Sequence, residues 1–261
     1  MRLLFLLIIA ILLVGSPELH AQVSTPLAPV MKENKISIGI IAGIGLNFQT
    51  GAYLVDCEGC SFESGDQFGY SFGAIFDHKL SENFSTGIFA LFENRGVNSY
   101  YEELESFYLE EIDETIKVRM SHESALSLSY INAVPYFAYR PVKFLTFRMG
   151  LSLAIPLSSN VTHDQSLLTD EVTLSSGEVM KVDIAAGGTQ RVQDSEVTGL
   201  SNPVISLLPV VAAHIPLERN VFLSPQFHYN LPFNTTSTYG EDFKVHTWRF
   251  MMELRMAFYT E

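Results

Sequence analysis

The sequence predicts an all-β fold: a closed, antiparallel, up-and-down transmembrane β-barrel of eight strands, with short periplasmic turns and long extracellular loops. Three observations predict it. From Lys35 to Tyr259 apolar residues recur with period two, the period of a strand. The connections between the alternating segments are short and long by turns. The polar faces of the segments are mostly Gly, Ser, Thr, Asn and Gln, where a soluble barrel would carry charge. Composition agrees: 47% of the 261 residues are hydrophobic and only 17% charged, against roughly 25% charged in an ordinary soluble domain. Mean hydropathy is +0.18. The longest apolar run, Leu3 to Val14, has 12 residues, too few for a spanning helix of roughly 18. A chain that spans without such a helix must close its sheet, because hydrocarbon satisfies no backbone hydrogen bond. A net charge of −13 argues against a nucleic-acid partner.

The elements follow in order. In Lys35 to Phe48, Ile36, Ile38, Ile40, Ala42, Ile44, Leu46 and Phe48 form one face, opposite Ser37, Gly39, Ile41, Gly43, Gly45 and Asn47. Gln67 to His78 sets Phe68, Tyr70, Phe72, Ala74 and Phe76 against Gln67, Gly69, Ser71, Gly73 and Asp77. Phe84 to Arg95 is noisier, and Ala125 to Arg140 is the least regular, with Pro135 signalling a bulge or local irregularity. Phe144 to Pro156, Asn202 to Ile215, Val221 to Leu231 and Val245 to Tyr259 complete the eight. Most reach the roughly 9–11 residues that a tilted strand needs to cross a bilayer.

Short connections fall at His78–Asn83, Arg140–Lys143 and Pro216–Asn220; long ones at 49–65, 96–123, 157–201 and 232–244. This is the asymmetry of outer-membrane barrels, and an even strand count returns both termini to the periplasmic side. The longest loop has room for a further hairpin around Ser175–Gly177, standing above the membrane or raising the count to ten. Residues 1–21 read as a signal peptide, 22–34 as a periplasmic N-terminal segment and 35–261 as the barrel. Export favours a disulfide between Cys57 and Cys60 over a redox or metal role.

Alternation alone does not separate a membrane barrel from a secreted lipocalin-like binder with an apolar interior. Residue type does. Small polar residues suit a crowded lumen, whereas Ile, Leu, Phe and Trp suit lipid. Phe68, Tyr70, Phe76, Phe84, Phe144, Tyr229, Trp248 and Phe258 near strand ends are candidates for interfacial girdles.

Asn83-Phe84-Ser85, Glu93-Asn94-Arg95-Gly96 and a strand holding Pro135 before Tyr139-Arg140 resemble the PorT-like outer-membrane β-barrel family. The eight-strand plan is also similar to the OmpA transmembrane domain. The resemblance spans nearly the whole mature chain and implies location and architecture; it does not imply secretion or transport.

Under the assigned register Glu93, Arg95, Arg148, Arg249, Glu253 and Arg255 share the lumen. Unpaired charges there are costly, so pairing is expected: Glu253 with Arg148 or Arg255, and Glu93 with Arg249. Eight strands leave an interior just filled by side chains, which favours a sealed plug over an ion path. Tyr100, Tyr101, Glu102, Glu103, Phe107, Tyr108, Glu110 and Glu111 make an acidic, aromatic loop, a candidate contact for lipopolysaccharide or for a cell-surface or envelope protein. His122, His163, His228 and His246 lie in or near the upper half, without a nucleophile motif. The expectation is therefore no enzyme, cofactor or metal, and a structural or surface-interaction role in the bacterial outer membrane among its lipids. The alternatives are a small porin or transporter and a lipid-modifying enzyme.

Overall fold

The computed structural model describes residues 34–55, 60–109, 113–169, 171–183, 188–218 and 220–259. The predicted signal peptide, residues 22–33, Cys57, Glu110 and Glu111 lie outside them. The described strands are β1 (Asn34–Leu54), β2 (Ser61–Phe62), β3 (Gly65–Lys79), β4 (Phe84–Asn94), β5 (Val97–Leu109), β6 (Glu114–Val142) and β7 (Leu145–Leu167). They continue with β8 (Glu171–Thr173), β9 (Val179–Lys181), β10 (Thr189–Ser195), β11 (Val204–Ala213), β12 (Ile215–Pro216), β13 (Val221–Pro232) and β14 (Gly240–Tyr259).

Eight of these close a ring: β1, β3, β4, β6, β7, β11, β13 and β14, each antiparallel to its neighbours. The last joins the first, from Asn34↔Tyr259 to Tyr53↔Gly240. Closure leaves no free edge in the ring, the condition a sheet must meet to sit in hydrocarbon. The hairpin foreseen near Ser175–Gly177 exists as β8–β9, a separate two-stranded sheet turning at Gly177 with φ +86°. The ring therefore has eight members and not ten.

Each face lies where its chemistry requires. Ile40, Phe68, Met149 and Phe250 point outward and are 66%, 65%, 52% and 51% exposed, while Asn132, Ser152, Ser224 and Glu253 inside are fully buried. A water-soluble barrel hides its apolar face; this one presents a continuous apolar belt outward, and that belt is the surface that meets lipid. Aromatic rings edge the belt. Phe84 packs on Phe137 and Tyr139 at the short-turn rim, and Tyr70, Phe72 and Phe92 stack toward the other.

Several expectations need correction. All four long connections are in part ordered sheet: β1 runs on to Leu54, β5 fills 97–109, β14 begins at Gly240, and β6 and β7 reach 29 and 23 residues. This is well beyond the roughly 9–11 that a bilayer crossing needs. Together β10, β7, β6 and β5 continue the barrel wall past its long-loop rim. At Pro135 the expected irregularity takes the form of a local lapse in pairing and not of a bulge. The residue pairs with Ile88 in unbroken register on the β4 side, and the β7 ladder lapses between Ala133↔Leu153 and Tyr136↔Gly150 without shifting. The bulge lies higher, where Ser129↔Ser158 and Tyr130↔Pro156 leave Leu157 as the extra residue.

That extra residue has a geometric effect. Below it the even positions of β7 face inward, as Arg148, Gly150, Ser152 and Ala154 show; above it the odd positions Val161 and His163 do. A one-residue insertion reverses which side chains face the interior.

Candidate functional site

The lumen is filled in layers. Nearest the short-turn rim, Asp77 accepts hydrogen bonds from Ser85 Oγ (3.0 Å) and Tyr136 Oη (2.9 Å), with Arg255 Nη1 3.6 Å away. His214 sits beside them: its Nδ1 faces Ser224 Oγ at 2.7 Å and Arg255 Nη2 at 3.3 Å, and its Nε2 faces Thr146 Oγ1 at 2.7 Å. A cavity of about 260 Å³ opens at this rim onto Asp77, Arg140, Lys143, His214 and Arg255.

One layer deeper, Arg148 Nη1 donates to Glu253 Oε2 (2.8 Å) and to Gln226 Oε1 (2.9 Å), and Gln226 Nε2 donates to the same carboxylate oxygen (2.5 Å). Arg255 Nε lies 3.1 Å from Glu253 Oε1, an ionic contact without hydrogen-bond alignment. The guanidinium of Arg148 also lies over the rings of Tyr136 and Phe89, 5.4 and 5.5 Å from their centroids. Such cation–π contacts keep a desolvated cation partnered on faces that no carboxylate reaches.

The next layer holds Glu93 and Arg95, 2.5 Å apart, with Asn132 Nδ2 donating to the carboxylate and Ser152 Oγ donating to Asn132 Oδ1. The expected Glu93–Arg249 pair does not form as a contact. Arg249 donates instead to Asn47 Oδ1 (2.5 Å), to the carbonyls of Leu46, Trp248 and Asn94, and to Ser71 Oγ. Carbonyl oxygens of the narrow wall reach the guanidinium before the more distant carboxylate does. Gly69 makes this possible: a Cβ there would lie 2.6 Å from Arg249 Nη2.

Above the charges an apolar cap closes the column, built from Tyr53, Val55, Phe62, Leu126, Leu128, Tyr130, Val161, Phe243 and Val245. Sequence reasoning placed all six lumen charges and both partners of Glu253. It listed Asp77 on the correct face without giving it a role, and it missed Asn132, Tyr136 and His214. Asp77 was findable as the acidic residue on the polar face of its segment; the others carry no charge pattern.

The acidic, aromatic segment lies on β5, so alternation divides it. Tyr100, Glu102 and Tyr108 share one face with Leu104; Tyr101, Glu103 and Phe107 share the other with Glu105. Tyr100 donates to Glu102 (2.7 Å), Tyr108 donates to Asp113 (2.6 Å), and Glu102 lies 3.5 Å from Arg119. Tyr101 turns inward and stacks on His122, centroids 4.5 Å apart and planes 4° from parallel.

His122 is one member of a second buried cluster. Its Nδ1 lies 3.2 Å from His163 Nε2 and its Nε2 lies 2.9 Å from Glu105 Oε1. Cys60 completes the group, with one ligating atom from each of the three residues within 4.8 Å of the others. Cys60 is disulfide-bonded; Cys57, the other cysteine of the sequence, lies outside the described residues. Burial and the neighbouring imidazole of His122 hold His163 down to about 4, so it is neutral near pH 7. Burial, with Glu103 and Glu105 adding to it, pushes the Tyr101 hydroxyl up to about 12. Of the other histidines, His228 faces the lumen, and His246 stacks on Phe48 with its Nε2 3.1 Å from Thr50 Oγ1.

Ring closure, the outward apolar belt and the charged interior define the class: an eight-stranded transmembrane β-barrel of the outer-membrane type. No protein-family model and no curated protein matches the sequence. Among solved structures, the chain is similar to Ail, the attachment invasion locus protein of Yersinia pestis, with 10% identity over 86% of this chain and 100% of that one and a TM-score of 0.32. It is similar to Neisserial surface protein A, with 13% identity over 85% and 97% of the two chains and a TM-score of 0.38. It is also similar to the outer membrane protease OmpT from Escherichia coli, with 11% identity, 90% and 100% coverage and a TM-score of 0.35.

Proposed function

We propose that the protein is a sealed barrel of the bacterial outer membrane that acts through its extracellular extension rather than by passing solutes. The short-turn rim, where β1 and β14 meet at Asn34 and Tyr259, is periplasmic, and the β5–β6–β7–β10 extension stands outside the cell. The PorT-like and OmpA-like resemblance is consistent with this plan. Lipopolysaccharide surrounds the belt, and the exposed acidic and aromatic face of β5, carrying Tyr100, Glu102 and Tyr108, meets an envelope or surface partner.

The observation that carries the reading is the filled lumen. Asp77, Arg255, Glu253, Arg148, Glu93, Arg95 and Arg249 are all buried, and the cavity at the periplasmic mouth ends on the first of these charges. Opening such a column would separate ion pairs in a low-dielectric interior, where each charge left buried and unpaired costs several kcal/mol. The reading includes no catalytic step. Two hydroxyls lie 2.7 Å from His214: Ser224 is fully buried away from the cavity, and Thr146, which borders the cavity, also accepts from Arg140 Nε at 3.2 Å.

The test is planar-bilayer conductance of the purified protein. Silence, apart from brief flickers, is expected; stable, reproducible channels would overturn the sealed-lumen reading in favour of a narrow porin.

A further inference from the structure

Beyond the sealed lumen, the buried cluster above the cap has the donor set of a transition-metal site. Three features suit it to a metal ion. The first is spacing. His122 Nδ1 and His163 Nε2 are 3.2 Å apart, and two nitrogens bound tetrahedrally at about 2.0–2.1 Å from one zinc ion stand roughly 3.3 Å apart. The second is orientation. Glu105 accepts from His122 Nε2 at 2.9 Å, and Gln165 Nε2 approaches His122 Nδ1 at 3.5 Å. This fixes the tautomer whose Nδ1 lone pair faces His163, the carboxylate–imidazole arrangement that supports metal-binding histidines. The third is enclosure. Cys60, His122 and His163 are all buried, and one ligating atom from each lies within 4.8 Å of the others.

We propose that Cys60, His122 and His163 form a site for one zinc-class divalent ion, closed while Cys60 is in its disulfide and opened when that bond is reduced. A dithiol reductant supplies the two electrons. The protein S–S bond breaks, two thiols form and the reductant becomes the disulfide. The Cys60 thiol then gives up its proton as its sulfur binds the ion, at about 2.3 Å. Shortening the present separations of up to 4.8 Å requires the ligands to close by about an ångström around the metal. Thiolate with two imidazoles is a donor set that prefers zinc-class ions to calcium or magnesium, which take oxygen.

The experiment uses the full chain folded in detergent micelles, with Zn²⁺ competed against a chromophoric chelator. Cys57→Ser removes the only other cysteine, so Cys60 is a thiol without added reductant. This variant is expected to bind one Zn²⁺ per chain at least tenfold more tightly than oxidised wild type. Adding His122→Ala, His163→Ala or Cys60→Ser is expected to remove that gain. Co²⁺ in Cys57→Ser is expected to show a thiolate-to-metal charge-transfer band, a readout that needs no histidine variant to fold. Equal affinity in Cys57→Ser and Cys57→Ser/Cys60→Ser, or absence of the cobalt band, would overturn the proposal.

Discussion

Glu253 holds the centre of the plug, and its removal is the most informative perturbation. In the native column its Oε2 accepts from Arg148 and Gln226, and its Oε1 lies 3.1 Å from Arg255 Nε. Glu253→Leu leaves Arg148 with Gln226 Oε1 as its remaining side-chain acceptor, while its Nε and Nη2 already lack hydrogen-bond partners. Arg255 keeps the more distant Asp77 at 3.6 Å. Removing one partner of a buried pair costs about 3–5 kcal/mol, because the surviving charge stays desolvated. Glu253→Gln retains one acceptor and is expected to cost less, about 1.5–3 kcal/mol. Arg148→Met combined with Glu253→Leu removes both charges and is expected to cost less than the two single changes together. Trp248 is the single tryptophan, so its fluorescence reports urea unfolding from lipid vesicles without labelling. A Glu253→Leu barrel within about 0.5 kcal/mol of wild type, or a double variant no better than the sum, would refute the claim that ion pairing holds the plug.

Three further outcomes follow from the same geometry. Ile40→Arg, at a position 66% exposed near the middle of the belt, is expected to destabilise the folded protein in bilayers by about 2–4 kcal/mol; an unchanged unfolding midpoint would mean that the belt does not face lipid. Gly69→Val is expected to displace Arg249 from Asn47 and cost about 1–3 kcal/mol, and a crystal structure with Arg249 unmoved would contradict this. The Tyr101 hydroxyl is held up to about 12 in the folded protein and lacks a hydrogen-bond partner. Its protonated form therefore contributes stability that is complete below about pH 10 and lost as pH rises through about 12. Tyr101→Phe is expected to flatten that alkaline loss, measured as the difference between the two unfolding curves from pH 9 to 12.

The barrel itself was legible because lipid imposes one rule on every crossing: apolar outward, small or paired polar inward. The extension was not, because the rule inverts where a strand leaves the bilayer. In β6 the outward residues Ile131, Phe137 and Tyr139 are apolar within the membrane, but Thr115, Lys117, Arg119 and Glu123 take the exposed positions above it. The same strand buries Ile116, Val118 and Met120 on its opposite face, against Leu109, Leu167, Val172 and Met180. A window spanning the inversion mixes two clean patterns, and so Ala125–Arg140 looked irregular while the strand is continuous. The pairing of Glu253 followed from strand level alone, whereas Arg249 found carbonyls and an amide that no charge pattern announces. The meeting of His122 and His163 depends on the extra residue at Leu157, and a bulge of that kind leaves no mark in hydrophobic period.

The seam between β1 and β14 joins the earliest described strand to the last. Partners across this seam are separated by 187 to 225 positions, from Tyr53↔Gly240 to Asn34↔Tyr259, so the cylinder cannot be completed until the last strand is made. Until the final strand is available, both raw margins stand ready to zip onto another chain. The polypeptide must therefore travel unfinished and be shielded on the way, and a copy truncated before Gly240 is a fragment with two sticky borders rather than a smaller barrel.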